Sequence, residues 1–121
     1  MTIAKAALAA LTFAAPALAL ADPAQVTDVA AIRTGDTWRF DVAVVHPDTG
    51  WDHYADAWEV LAPDGTRLGI RELAHPHVDE QPFTRSLSGV AVPDGVDTVT
   101  VRARCLIDGW TGDAVDVPLA P

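Results

Sequence analysis

Two histidines separated by one residue, His75 and His77, form the spacing in this sequence that points most directly to a chemistry. In an extended chain, residues i and i+2 point to the same side, and Pro76 favours an extended conformation for His75. Two imidazoles on one side can bind the same ion, and imidazole suits Zn²⁺ and Cu²⁺. We therefore predict a zinc or copper(II) site centred on His75 and His77. The alternative is that both rings hydrogen-bond to loop backbone at a strand end, where Pro76 protects an exposed edge.

The remaining histidines and the nearby carboxylates are the candidates for completing this metal site. His53 or His46, or a carboxylate from Asp79 or Glu80, would supply the missing ligands. The single cysteine, Cys105, alternates with polar residues, so we expect it to be a buried apolar side chain. The chain after residue 21 also lacks Met, and both features disfavour a Cu⁺ site.

Two tryptophans outside the alternating segments, Trp51 and Trp110, suggest a different use of the same region. Exposed indoles beside Asp52, Asp79 and Glu80 would form a surface for a ligand or partner. Such a surface stacks on a sugar ring or receives a cationic ligand. The alternative, which we favour, is that both indoles fold back as lids over a small core.

Catalytic motifs are the next chemistry to consider, and the sequence contains none that is complete. Ser86 and Ser88 lack a Gly-x-Ser-x-Gly elbow before a helix, and no oxyanion hole can be named. Asp79 and Glu80 are adjacent, so an extended chain points them to opposite sides and separates them as an acid–base pair. We therefore expect a binding protein and not an enzyme.

The elements that must position these residues begin with two segments in which apolar and polar residues alternate strictly. They run from Asp36 to Val45 and from Thr98 to Leu106. Their apolar faces carry Trp38, Phe40, Val42 and Val44 in the first and Val99, Val101, Ala103 and Cys105 in the second. A period of two is typical of a strand with one face buried against a core.

Shorter patterns and turn signals complete the predicted fold. A hairpin is predicted from His53–Leu61 and Arg67–Leu73, joined at Pro63-Asp64-Gly65, and weaker patterns indicate a first strand near residues 26–32 and a last one near 115–119. About seven short strands without a convincing amphipathic helix predict an all-β fold. We expect a single antiparallel sandwich of the immunoglobulin/fibronectin III kind.

The third predicted strand carries a charged residue on the face that holds its large apolar side chains. Asp56 shares a face with Tyr54 and Trp58. If that face is inward, the carboxylate needs a cationic partner, and Arg85 or Arg39 is the available kind. We read this pair as part of the scaffold.

The connections fall into two groups if successive strands run antiparallel. Tight turns at Gly35, Gly65 and Gly95 then lie at one end of the sandwich, and three longer connections lie at the other. The longer connections are residues 46–52, 75–82 and 107–112, and all four histidines lie in them or at their edges. Function usually resides in loops, so we predict that this end is the recognition surface of a binding or interaction module.

The N-terminal segment has the layout of a secretory signal peptide. Lys5 precedes sixteen uncharged residues, and Ala19-Leu20-Ala21 is a small-x-small cleavage pattern. The apolar run is shorter than the roughly 20 residues of a membrane span. We expect a signal peptide over residues 1–21, a β-sandwich domain over 22–121, a periplasmic or secreted location and no membrane anchor after cleavage.

Composition narrows the class of partner. The formal net charge is −9, and the only lysine lies in the predicted signal peptide. Nucleic acids and anionic lipids both need a basic surface that displaces counterions, so neither is expected as a partner. A protein or a small ligand remains, and about 100 residues correspond to one domain.

Two stretches of the chain resemble a known group of sequences. Residues 50–58, Gly-Trp-Asp-His-Tyr-Ala-Asp-Ala-Trp, and residues 75–87, which begin His-Pro-His-Val-Asp-Glu-Gln-Pro-Phe, are similar to segments of short, uncharacterised, exported bacterial proteins with an immunoglobulin/fibronectin III-like sandwich. The resemblance covers most of residues 36–112. It implies export and a single domain, and it implies no activity.

Overall fold

The computed structural model describes residues 22–120, so the predicted signal peptide, residues 1–21, lies outside the described residues. The described chain is all-β. Its strands are β1 (Gln25–Thr34), β2 (Thr37–Val45), β3 (Ala55–Leu61), β4 (Arg67–Glu72), β5 (Phe83–Val90), β6 (Thr98–Cys105) and β7 (Val115–Pro118). The described part contains no helix long and apolar enough to cross a membrane.

The strands form two antiparallel sheets, in the orders β1-β2-β5 and β4-β3-β6-β7. Apolar side chains from both sheets, including the fully buried Phe40, Val42, Trp58 and Val101, form one core. This arrangement is consistent with the predicted sandwich. The predicted alternation of β2 and β6 is confirmed, because every residue assigned to their apolar faces is at most 8% exposed.

The predicted grouping of the connections at two ends is confirmed by contacts. At one end, the turns after β1, β3 and β5 border shared surface depressions, since Asp36 lines one with Pro93 and Asp64 lines another with Pro93. At the other end, the loops after β2, β4 and β6 touch one another. Asp48 accepts a hydrogen bond from the backbone of His77, and the backbone of Leu106 donates one to Tyr54.

A β-bulge at the start of β3 gives Asp56 a different partner from the predicted one. Ala55 lies opposite Cys105, but Ala57 lies opposite Arg104, so one extra residue interrupts the alternation between them. Asp56 accepts a hydrogen bond of 2.8 Å from Nε of Arg104. The prediction of Arg85 or Arg39 as its partner is therefore wrong, because the bulge takes this side chain out of the inward register.

Candidate metal centre

Three side chains with metal-binding donor atoms meet at the end of the sandwich that carries the long loops. They are His46, His53 and Cys105, and one donor atom from each lies within 4.8 Å of the others. His46 directly follows β2, and Cys105 is the last residue of β6. His53 sits between them in the β2–β3 loop, in an isolated bridge with Gly50. The site is thus built where one strand of each sheet ends.

Local backbone hydrogen bonds fix the loops that carry these side chains. In the β2–β3 loop, Thr49 N–H donates to the carbonyl of His53 at 3.0 Å. After β6, Cys105 and Gly109 exchange hydrogen bonds of 3.0 and 2.8 Å, which closes a tight turn. Gly109 has a φ of +70°, a conformation that glycine adopts without steric cost. The turn therefore holds the residues after Cys105 beside the cluster.

Asp48 is the buried carboxylate that holds this end together. Its Oδ1 accepts hydrogen bonds from Nδ1 of His46 at 2.6 Å and from Ala55 N–H at 2.9 Å. Its Oδ2 accepts one of 2.7 Å from His77 N–H. The residue is only 5% exposed, so these donors replace the water that the carboxylate loses on burial. Asp48 thereby joins the β2–β3 loop to the β4–β5 loop.

One nitrogen of the His46 ring makes a hydrogen bond and the other makes none. Because a carboxylate only accepts, Nδ1 carries the proton that is donated to Asp48, and Nε2 is the remaining nitrogen. Nε2 is buried and has no hydrogen-bond partner among residues 22–120. Buried polar atoms usually have a partner, so this unpartnered nitrogen calls for a ligand that residues 22–120 do not supply. In metal sites, a ligating histidine commonly donates its other N–H to a carboxylate in this way.

Cys105 and Asp108 form the second half of the cluster. The Cys105 side chain is fully buried, and burial raises the pKa of its thiol. Its Sγ donates to Oδ2 of Asp108 at 3.7 Å, and the same oxygen lies 3.9 Å from Nε2 of His53. The side chains of His53 and Asp108 are 26% and 22% exposed, so the cluster can be reached from solvent on this side.

His75 and His77 lie side by side at the same end, with their ring centroids 4.5 Å apart. Nε2 of His77 accepts a hydrogen bond of 2.8 Å from Arg85, and the ring stacks on Phe83 at 3.8 Å. Burial lowers the pKa of His77, the nearby positive charge of Arg85 lowers it further, and His75 makes a smaller contribution in the same direction. His75 is exposed, and its Nδ1 lies 3.0 Å from the carbonyl of Pro76. A metal shared by His75 and His77 stays a prediction.

The two tryptophans differ in exposure and in the side chains they contact. Trp51 is 66% exposed and contacts the edge of Tyr54, so the prediction that it folds back as a lid is wrong. Trp110 is half-buried and lies against the guanidinium groups of Arg102 and Arg104, at 4.9 and 5.2 Å. The other predicted surface residues, Asp52, Asp79 and Glu80, are all exposed.

Three residues of this centre, Cys105, Asp108 and Asp48, were not predicted as ligands from the sequence, although the two aspartates were expected at this end of the sandwich. Cys105 was assigned to the core by alternation, and that burial is confirmed. A cysteine that ends a strand and precedes an acidic turn residue is the available signal for a ligand, and Asp108 follows it by three positions. Asp48 carried no signal, because acidic residues before glycine-containing loops are common turn residues.

The comparisons with known proteins give one relative. The chain is 42% identical over 95 residues to a protein of Halomicrobium mukohataei named "Putative lipoprotein". The matched region covers 78% of this chain and 46% of the relative, so the chain spans just under half the length of the curated protein it matches. No protein-family model and no solved structure matches the chain.

Proposed function

We propose that this protein is an exported metal-binding module whose ion is held by His46, His53 and Cys105. The observation that carries the proposal is the unpartnered, buried Nε2 of His46, in a ring that Asp48 fixes through the other nitrogen. Two imidazoles and a thiolate are ligands for Zn²⁺ or Cu²⁺. The proposed role is binding, and the sequence supplies no catalytic motif beside it.

The spacing of the donors supports an ion of this size. Donor atoms around a tetrahedral Zn²⁺ are separated by roughly 3.3 to 3.8 Å, given bond lengths of about 2.0 to 2.3 Å. The three donors already lie within 4.8 Å of one another. The His53 side chain is 26% exposed, whereas the His46 side chain is fully buried and held by Asp48. Binding an ion therefore requires the donors to approach one another by about 1 Å, and the partly exposed His53 is the member we expect to move.

Compartment and cysteine usage support the same proposal. The predicted signal peptide, together with the name of the relative, favours export. Exported proteins commonly use cysteines in disulfides, but this chain has a single cysteine and keeps it fully buried. A thiol that cannot form an intramolecular disulfide is instead available as a metal ligand.

The test is a Zn²⁺ titration of the purified protein and of two ligand variants. His46→Asn places an amide nitrogen where Nδ1 donates to Asp48, so it keeps that hydrogen bond and removes Nε2. Cys105→Ser removes the thiolate with little change in volume. We expect both variants to remain folded and to lose at least a hundredfold in Zn²⁺ affinity, while the wild type binds one ion.

His75→Ala is the matched control, because it removes an exposed histidine at the same end of the molecule. It is expected to bind Zn²⁺ as the wild type does. Loss of binding in His75→Ala, with binding retained in His46→Asn, would move the site to the His75 and His77 pair. A wild type that takes up neither Zn²⁺ nor Cu²⁺ would refute the proposal.

A second candidate function is favoured by the exposed apolar side chains at this end. Trp51 and Ile107 are each 66% exposed, and Leu106 is 44% exposed. An exposed indole stacks on the apolar face of a sugar ring. Titration with neutral oligosaccharides, followed by tryptophan fluorescence, would then show saturation in the wild type and none in Trp51→Ala. Equal responses in the two proteins would reject this second function.

A further inference from the structure

We propose that Asp108 is the fourth ligand of this site and makes it a neutral, four-coordinate Zn²⁺ centre of two imidazoles, one thiolate and one carboxylate. The inference rests on the proposed function and deepens it, because it names both the missing ligand and the metal. Three observations carry it: the position of the carboxylate, the charge of the ligand set and the mixture of donor types.

The Asp108 carboxylate already lies between two of the three donors. Its Oδ2 is 3.7 Å from Sγ of Cys105 and 3.9 Å from Nε2 of His53. These separations are close to those of neighbouring donors around a tetrahedral ion, roughly 3.3 to 3.8 Å. The reciprocal hydrogen bonds between Cys105 and Gly109 hold Asp108 in the turn between them. The turn thus keeps Asp108 beside Cys105 and His53.

The charge of the direct ligands favours an anion in the last position. Two neutral imidazoles and one thiolate leave the ion and its ligands with a net charge of +1, in a site whose His46 and Cys105 members are buried. An unbalanced buried charge is costly in a medium of low dielectric constant. The Asp108 carboxylate brings the ion and its four ligands to neutrality, and the Asp48 carboxylate lies outside this set as the partner of His46. Asp108 also lies on the side that faces solvent, where it would replace a water molecule as the last ligand.

The donor types select the metal. A thiolate disfavours Mg²⁺ and Ca²⁺, which take oxygen ligands, and a carboxylate disfavours Cu⁺, which prefers soft ligands. Zn²⁺ accepts sulfur, nitrogen and oxygen donors in one tetrahedral set. A Cys-His₂-Asp set with no remaining open position is typical of a structural or storage site. The inferred occupant is therefore Zn²⁺, and not Mg²⁺, Ca²⁺ or Cu⁺.

The experiment compares Asp108→Asn with Asp113→Asn, using Zn²⁺ for affinity and Co²⁺ as a spectroscopic probe. Asp113 lies in the same loop, is exposed and loses the same charge, so it is the matched control. We expect Asp108→Asn to lower Zn²⁺ affinity at least tenfold and to change the visible d–d bands of bound Co²⁺. The sulfur-to-cobalt charge-transfer band should persist, because Cys105 remains. Asp113→Asn should match the wild type in both measurements, and Asp108→Glu should recover part of the affinity.

The outcomes separate this inference from the function beneath it. A wild type without Zn²⁺ or Co²⁺ binding refutes the metal-binding function itself. A wild type that binds, with Asp108→Asn indistinguishable from Asp113→Asn, overturns only the assignment of Asp108. Infrared difference spectra of protein carrying ¹³C-labelled aspartate add a second readout. A carboxylate band that shifts on Zn²⁺ addition in the wild type and in Asp113→Asn, and not in Asp108→Asn, supports the assignment, and the absence of such a band contradicts it.

Discussion

Two histidine pairs lie at the same end of this sandwich, and their surroundings differ. In the first pair, His46 is held by Asp48, has a buried, unpartnered Nε2 and lies in a cluster with His53 and Cys105. In the second pair, Nε2 of His77 accepts from Arg85, Nδ1 of His77 is also buried and unpartnered among residues 22–120, and His75 is exposed. A cation beside the second ring opposes a bound metal ion. The comparison teaches that the charged and donor groups around a histidine ring, more than the spacing of histidines in the sequence, distinguish a candidate ligand from a structural residue.

The largest expected effect comes from removing the carboxylate that both pairs share. Asp48→Ala leaves Ala55 N–H, His77 N–H and Nδ1 of His46 without their acceptor. Each orphaned buried donor costs about 1 to 3 kcal/mol, so we expect the free energy of unfolding to fall by at least about 3 kcal/mol. Urea unfolding followed by tryptophan fluorescence measures this change.

Asp79→Ala is the control for that variant. Asp79 is exposed in the neighbouring loop, so its removal should change the free energy of unfolding by less than about 0.5 kcal/mol. If Asp48→Ala is as stable as Asp79→Ala, the two histidine pairs are not joined through one buried carboxylate.

The next largest effect is the gain in stability on Zn²⁺ binding, which distinguishes the first histidine pair from the second. Free Zn²⁺ at a hundred times its dissociation constant should stabilise the wild type by about 2.7 kcal/mol, because the ion binds the folded state. Cys105→Ser should show no such gain, since it lacks the thiolate. Thermal unfolding with and without Zn²⁺, buffered by a chelator, measures both. An equal gain in Cys105→Ser would place the ion outside the first pair.

The pH dependence of stability reports on the second pair. The pKa of His77 is lowered in the folded protein by burial and by Arg85, so the unfolded chain binds this proton more readily. Stability is therefore complete above the usual histidine pKa of about 6.5 and is lost as pH falls below it. We expect the free energy of unfolding to fall by less than it does in Asp48→Ala. Urea unfolding between pH 7 and pH 5 measures this change.

His77→Gln tests the origin of that dependence. The amide oxygen of glutamine can accept from Arg85 where Nε2 does, but glutamine does not titrate. The variant should lose the part of the slope between pH 7 and pH 5 that His77 gives the wild type. An unchanged slope would assign the titration to another group.

The smallest effect is expected for the exposed member of the second pair. His75→Ala removes an exposed ring that lies beside His77 and whose Nδ1 is 3.0 Å from the carbonyl of Pro76. The free energy of unfolding should change by less than about 0.5 kcal/mol. A loss above about 1 kcal/mol, as seen for buried contacts, would show that the two rings depend on each other.

The sequence predicted the scaffold better than the site, for physical reasons. Alternation in β2 and β6 reports burial directly, so Phe40 and Val101 were assigned to the core correctly, and strand order then placed the loops. The bulge that moves Asp56 to Arg104 adds one residue without a composition signal. His46 and His53 were recognised as candidate ligands. Cys105 was not, because the same alternation that marks a core residue also describes a ligand at the end of a strand.

The most direct test of the central claim is X-ray absorption at the zinc edge of the Zn²⁺-loaded protein. A site formed by His46, His53 and Cys105 requires one sulfur at about 2.3 Å and nitrogen or oxygen donors at about 2.0 to 2.1 Å, with scattering from two imidazoles. We predict that the sulfur shell is present and that Cys105→Ser removes it. A wild-type spectrum with imidazole scattering and no sulfur shell would contradict the account and direct attention to His75 and His77.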